Sequence, residues 1–330
     1  MGRMRSSELE RVAHLAAIFG AAAPPGVLLG IGDDAAVLAP CAEPLVWTVD
    51  AAVEGTHFRR EWLSFEDIGY RSTMAAASDL AAMGAAPLGV LSALVLPDDV
   101  GDDEMAAIAR GQQEAVTALG TTVVGGNLAR GRELSITTTV LGRAAAPLQR
   151  RGARAGDALW LVGPVGLAAA GLRFLMEGRP VEDEIAAACL AAWRRPFARI
   201  ASALAIRATA LAAVDISDGL ARDVAHVARA SGARAVIAAP HLPTPILRAA
   251  ASRLGVDAEH LALFGGEDYA LAVAAPADAL LEGATKIGWF EERRPDEPAV
   301  VALWSDGTRQ DLPESGFDHF ARSHQTPAAR

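Results

Sequence analysis

Short β-branched apolar runs alternate with stretches of helical periodicity along the whole chain, and that alternation restricts the fold to α/β or α+β. Ser7 and Glu10 have capping-box spacing, and Val12, Leu15, Ile18 and Phe19 mark one helical face after them. Leu45 to Val49 reads as a strand that ends in Asp50. Ser64 caps a helix running to about Met83, with Asp67 at its third position and Gly84 beyond its end. Val90 to Leu96 is a strand. Asp102 to Leu119 is an amphipathic helix with acids in its first turn, where the helix dipole favours them. Thr121 to Val124 and Leu134 to Leu141 are strands. The second half repeats the mixture, with strands at 158–162 and 211–216 and helices at 166–177, 182–194 and 219–230.

A length of 330 residues fits about two domains. The segment 142–156, rich in Arg, Ala and Gly, is the expected connection, which divides the chain into 1–145 and 146–330. Apolar residues make up 52% and charged residues 21%, enough for a sizeable core. The net charge of -10 argues against nucleic acid and anionic membrane surfaces as partners. Only two cysteines, Cys41 and Cys189, exclude a disulfide framework and a cysteine zinc cluster and point to a reducing, cytoplasmic setting. The longest uncharged run, His14 to Gly32, is broken by Gly20, Pro24, Pro25 and Gly26, so no membrane span is expected. Arg3 and Arg5 are followed by Glu8, Glu10 and Arg11, unlike a signal peptide.

The placement of the acids carries the chemistry. Asp33 and Asp34 lie in a Gly-rich turn, and Asp50 at a strand end. Asp79 sits inside a helix among Ala75, Ala76, Ala82 and Met83. Asp215 and Asp218 join a buried strand to a helix start, and Glu267 and Asp268 follow two glycines. Each has an ordinary alternative. Asp33 or Asp34 can cap a turn, Asp50 can turn the chain, Asp218 can cap its helix, and Asp79 can face solvent. If the acids converge, they need a shared counter-charge, and Mg²⁺ is the fitting cation for oxygen ligands. Seven histidines without ligand spacing argue against zinc. Mg²⁺ in turn suggests a phosphate-bearing substrate, and neighbouring glycines let backbone N–H groups approach phosphate oxygens. There is no Walker A sequence and no protein-kinase motif set, and Lys286 is the only lysine.

The ordered set of motifs resembles the thiamine-monophosphate kinase family of the AIR-synthase-like superfamily. The matching segments are 30–38, 49–58, 78–85, 125–131, 150–157, 215–220, 265–269 and 316–320, spread over nearly the whole chain. The resemblance implies a two-domain AIR-synthase-like fold. Its N-terminal mixed sheet pairs in a homodimer, and its C-terminal α+β domain completes an interdomain cleft. It implies transfer of the ATP γ-phosphoryl group to thiamine monophosphate, giving thiamine diphosphate. Asp33, Asp34, Thr48, Asp50, Asp79, Asp215 and Asp218 match or flank Mg²⁺-holding positions, and Asp50, Asp79, Asp215 and Asp218 are the expected catalytic acids. Gly125, Gly126, Asn127, Arg150 and Ser217 match nucleotide-contacting positions. His57, Glu267 and Phe317 match positions at the thiamine end.

Four departures from the family pattern stand out. Asn127 replaces a metal-binding Asp, Leu128 and Ala129 replace two threonines, Ala76 stands where Asn is frequent, and Val49 replaces a frequent Thr. Two other readings remain beside the kinase: a superfamily relative that activates a different substrate with ATP, and a binding protein without turnover. The absence of an N-terminal Cys or Sec with Lys, and of a C-terminal Cys, lowers the first of these.

Overall fold

A computed structural model describes residues 7–20 and 25–313. The chain starts with α1 (Glu8–Phe19) and a two-stranded pair, β1 (Val27–Leu29) and β2 (Val37–Leu38). Ser7 and Glu10 form the expected capping box on α1. A four-stranded sheet follows, built from β3 (Leu45–Val53), β4 (Ala86–Leu96), β5 (Val123–Arg130) and β6 (Ser135–Arg143). Its strand order is β3-β6-β4-β5, with only β4 and β5 parallel. Two helices, α2 (Phe65–Ala82) and α3 (Asp102–Ala118), belong to this half.

The second half holds a seven-stranded sheet, ordered β13-β12-β9-β11-β7-β10-β8. Its strands are β7 (Ala158–Val162), β8 (Ala212–Asp215), β9 (Ala233–Ala238), β10 (Leu271–Ala275), β11 (Thr285–Glu292), β12 (Val300–Leu303) and β13 (Arg309–Asp311). Six helices accompany it among the described residues: α4 (Leu167–Met176), α5 (Glu184–Arg194), α6 (Ile200–Ile206), α7 (Leu220–Ser231), α8 (Pro245–Leu254) and α9 (Ala258–Phe264). The mixture of helices with two mixed sheets is the α/β (α+β) class expected from the alternation. Among the described residues no helix is long and apolar enough to cross a membrane.

Helix α2 organises the molecule. Ser64 accepts the Asp67 N–H at 3.0 Å and starts the helix as its sequence requires. Met74, Ala77, Leu80 and Ala81 are fully buried in one cluster with Val140 of the first sheet and Trp160, Val273 and Leu271 of the second. Ala76 and Ala77, both fully buried, therefore serve packing, since small side chains let both sheets approach one helix. Gly69 and Gly111 serve the same end at the crossing with α3. A Cβ on Gly111 would lie 1.9 Å from the Glu66 carbonyl oxygen.

Several element boundaries differ from the sequence expectation. β3 does not stop at Asp50, because β6 supplies a partner for all nine of its residues, including Thr138 opposite Asp50. β5 runs through the Gly125-Gly126-Asn127 motif, which is paired strand rather than loop. The N-cap of α7 is Gly219, so Asp218 does not cap that helix.

Candidate active site

Asp50, Asp79, Asp215, Ser217 and Asp218 come together on one cleft of about 640 Å³. β3 supplies Asp50, α2 supplies Asp79, and the end of β8 with the loop after it supplies the rest. Both halves of the chain thus contribute acids to one space. His57, Glu267, Trp62 and Trp193 line the same cleft.

The acids are not equivalent. Asp79 accepts a 2.5 Å hydrogen bond from Thr48 Oγ1, which overturns its solvent-facing reading. Burial pushes its carboxyl above the ordinary range and the nearby Asp50 charge adds to this, while the Thr48 bond and Arg150 oppose it. Asp215 is 7% exposed, and its carboxyl is pushed up to about 6, first by burial and then by Asp79. The Arg150 charge works against that rise as well. Asp218 pairs with Arg222 at 3.2 Å, one helical turn on.

The loop that carries Ser217 and Asp218 is braced by a residue the sequence reading passed over. Buried Asp223 accepts the N–H groups of both Ser217 and Asp218 at 3.0 Å. Across the cleft, Glu267 and Tyr269 adopt left-handed φ values of 61° and 48°. Such conformations cost about 1–3 kcal/mol each and persist only when neighbours fix them. Here the Glu267 N–H donates to the Ser217 carbonyl at 2.7 Å and the Tyr269 N–H to the Ile216 carbonyl at 2.9 Å. Asp268 points away from the cleft and accepts the Gly166 N–H at 2.8 Å at the start of α4. His57 accepts the Val53 N–H on Nδ1 at 3.1 Å, which fixes its ring beside the cleft.

Other expected residues lie elsewhere within the chain. Thr48 stands behind Asp79 rather than lining the cleft. Gly125, Gly126 and Asn127 are on β5, at the sheet edge opposite β3. Three strand spacings, about 14 Å, separate those edges. Strand pairing, invisible to a local motif, put them there. Asp33 and Asp34 are exposed on a turn in which Asp33 accepts the Asp34 N–H at 2.8 Å, the turn-capping alternative. Phe317 lies outside the described residues. Trp62, Trp193 and Arg71 were not legible as site residues. The one available signal was a lone arginine in the small-residue helix α2.

Among the described residues, no three His, Cys, Asp or Glu side chains already converge as a chelating group. The donor set nevertheless fits a hard cation. Asp79 and Asp215 are raised partly by neighbouring negative charge, which a cation between them would offset. Mg²⁺ commonly takes only one or two carboxylates and completes its shell with water and substrate phosphate.

Residues 32–144 match the family of AIR synthase related protein, N-terminal domain, and residues 154–294 match its C-terminal domain. The chain is 34% identical to the thiamine-monophosphate kinase of Mycobacterium tuberculosis, over 85% of this chain and 83% of that protein. It is 33% identical to that of Aquifex aeolicus, over 88% and 92%. This chain belongs to the thiamine-monophosphate kinase family. Solved structures agree with the family. The thiamine-monophosphate kinase of Stenotrophomonas maltophilia superposes with a TM-score of 0.79 at 34% identity, over 91% of this chain and 95% of that one. The complex of AaThiL with AMPPCP and TMP gives 0.78 at 32% identity, over 88% and 92%. A hydrogenase maturation protein shares the fold, with a TM-score of 0.76 at 18% identity.

Proposed function

We propose that this member of the thiamine-monophosphate kinase family transfers the γ-phosphoryl group of ATP to thiamine monophosphate, giving thiamine diphosphate. The observation that carries the reading is the convergence of Asp50, Asp79, Asp215 and Asp218 from both halves on one cleft. The relative solved with AMPPCP and TMP supports the choice of substrates.

The acceptor is already a phosphate anion, so no carboxylate needs to act as a strong base. The difficulty is repulsion between two polyanions. Asp50, Asp79, Asp215 and Asp218 would hold Mg²⁺, with Thr48 fixing Asp79 behind them. Mg²⁺ bound there supplies positive charge to the phosphates and helps align them. Arg150 and Ser217 are assigned to the nucleotide, and His57, Glu267 and Phe317 to the thiamine end. No covalent phosphoenzyme is part of this mechanism.

The active form is proposed to be a homodimer. Val49 and Leu91 face the same side of the four-stranded sheet, since both pair with Thr139. With Trp47 they leave an apolar surface, and Trp47 is 71% and Val49 62% exposed. A second copy of the chain is the proposed partner for that face. Gly125, Gly126 and Asn127, at the far sheet edge, and Asp33 and Asp34, on their exposed turn, keep their metal and nucleotide assignments as proposals for such an assembly. Residues 1–145 are assigned as the metal-binding and pairing domain and 146–330 as the domain that completes the cleft. The free thiols Cys41 and Cys189 fit a reducing cytoplasmic setting.

The test is a coupled ADP-release assay with ATP, Mg²⁺ and thiamine monophosphate. ADP and thiamine diphosphate are expected in equal amounts. Tight binding of both ligands without turnover would sink the kinase reading.

A further inference from the structure

Arg71 is 6% exposed, yet it sits on α2 beside the cleft rather than at the surface. A buried guanidinium is costly unless its donors are satisfied and its charge is paired. Here two other segments supply a counter-charge and an acceptor. One guanidinium nitrogen forms an ion pair with Glu267 Oε1, and another donates to the Trp193 carbonyl. The guanidinium also lies 5.0 Å over the Trp193 ring. Trp193 closes the circuit, since its indole N–H donates to Glu267 Oε2 at 2.7 Å. Its ring meets Trp62 edge-on at 6.2 Å, and Trp62 lines the cleft.

Three segments far apart in sequence thus meet in one unit: α2, α5 and the strained loop 265–269. Each oxygen of Glu267 already accepts from one partner, so the carboxylate cannot swing. A carboxylate has about four lone-pair sites, which leaves acceptor capacity on a side chain 30% exposed. Arg71 cancels the Glu267 charge, and the pair presents an oriented acceptor rather than a loose anion. Arg71 and Asp79 lie eight residues apart on one helix, about 12 Å along its axis. A single rigid element therefore sets the distance between the Glu267 group and the phosphate-handling acids.

We propose that Arg71 is a positioning residue for substrate recognition: through Glu267 and Trp193 it fixes the acceptor and aromatic wall against which the non-phosphate end of the substrate rests. The ligand class is a flat heteroaromatic ring with an N–H donor, tethered to a phosphate. The proposal rests on the thiamine-monophosphate reading above.

Steady-state kinetics on the full chain test it, with KM measured separately for thiamine monophosphate and ATP. Arg71→Met is expected to raise KM for thiamine monophosphate about tenfold or more, as loss of a charge-assisted bond implies. KM for ATP should change by less than about twofold. Arg71→Lys should recover part of the loss, because charge returns without the fork. Glu267→Gln keeps side-chain shape and serves if Arg71→Met fails to fold. The double variant should be no worse than the poorer single one, the mark of residues acting as a unit. Equal rises in both KM values, or a lowered melting temperature with both KM values unchanged, would overturn the positioning role. A wild-type chain that does not turn over thiamine monophosphate would instead overturn the function on which the role rests.

Discussion

Thr48 Oγ1 donates to Asp79 Oδ2 at 2.5 Å, and this bond pins the middle of β3 to the last turns of α2. It fixes the rotamer of a carboxylate that is otherwise raised by burial and by Asp50. Thr48→Val keeps the shape and removes the donor. The Mg²⁺ concentration for half-maximal activity should rise about five- to tenfold, the worth of one such bond. A Mg²⁺ titration of the variant checks it.

Asp50 has a different position. It is exposed on β3 and serves the cleft rather than the core. Asp50→Asn should lower kcat by about 100-fold or more, with little change in melting temperature. Near-normal turnover in that variant would remove Asp50 from the metal set.

Gly111 tests the packing of the helix that carries Asp79. The Cβ of an alanine there would overlap the Glu66 carbonyl, so α2 and α3 would have to part. Gly111→Ala should cost about 1–3 kcal/mol or more in stability. Urea unfolding measures the loss.

The exposed face of the four-stranded sheet can be tested with a charge. Trp47→Glu places a carboxylate on the most exposed apolar position of β3. Sedimentation should show a dimer for the wild type and a monomer for the variant. A monomeric wild type, or a variant that stays dimeric, would count against pairing through this face.

Asp268 predicts a pH dependence. Burial pushes its carboxyl up to about 7, against an ordinary value of 3.8, although two backbone N–H groups and Arg199 oppose the shift. The folded chain thus holds this proton to higher pH than the unfolded chain does. Its stabilising contribution is complete below pH 3.8 and is lost as pH rises through about 7. The urea midpoint of the wild type should therefore fall, between pH 5 and pH 8, by more than that of Asp268→Asn.

Local sequence signals accounted for much of the secondary structure because they act over a few residues. The Ser7 and Ser64 caps, the α3 acids and the buried run before Asp215 all work within one or two turns. They failed where a distant strand decided the outcome. β3 extends past Asp50 because β6 pairs with it, and the Gly125-Gly126-Asn127 motif became strand because β4 lies alongside. Asp223 and Arg71 were not read as site residues because their partners are backbone groups and side chains fixed by the tertiary fold.

The sequence by itself determined the mixed class, the ordered acidic and glycine motifs, and the family those motifs imply. Only the tertiary structure decided which acids share a cleft. Asp50, Asp79, Asp215 and Asp218 meet because α2 packs between two sheets, while Asp33, Asp34 and Asn127 lie away from them. The reason is physical. Caps and periodicity act between residues a few positions apart, whereas the site is made by burying apolar surface between segments more than 100 residues apart.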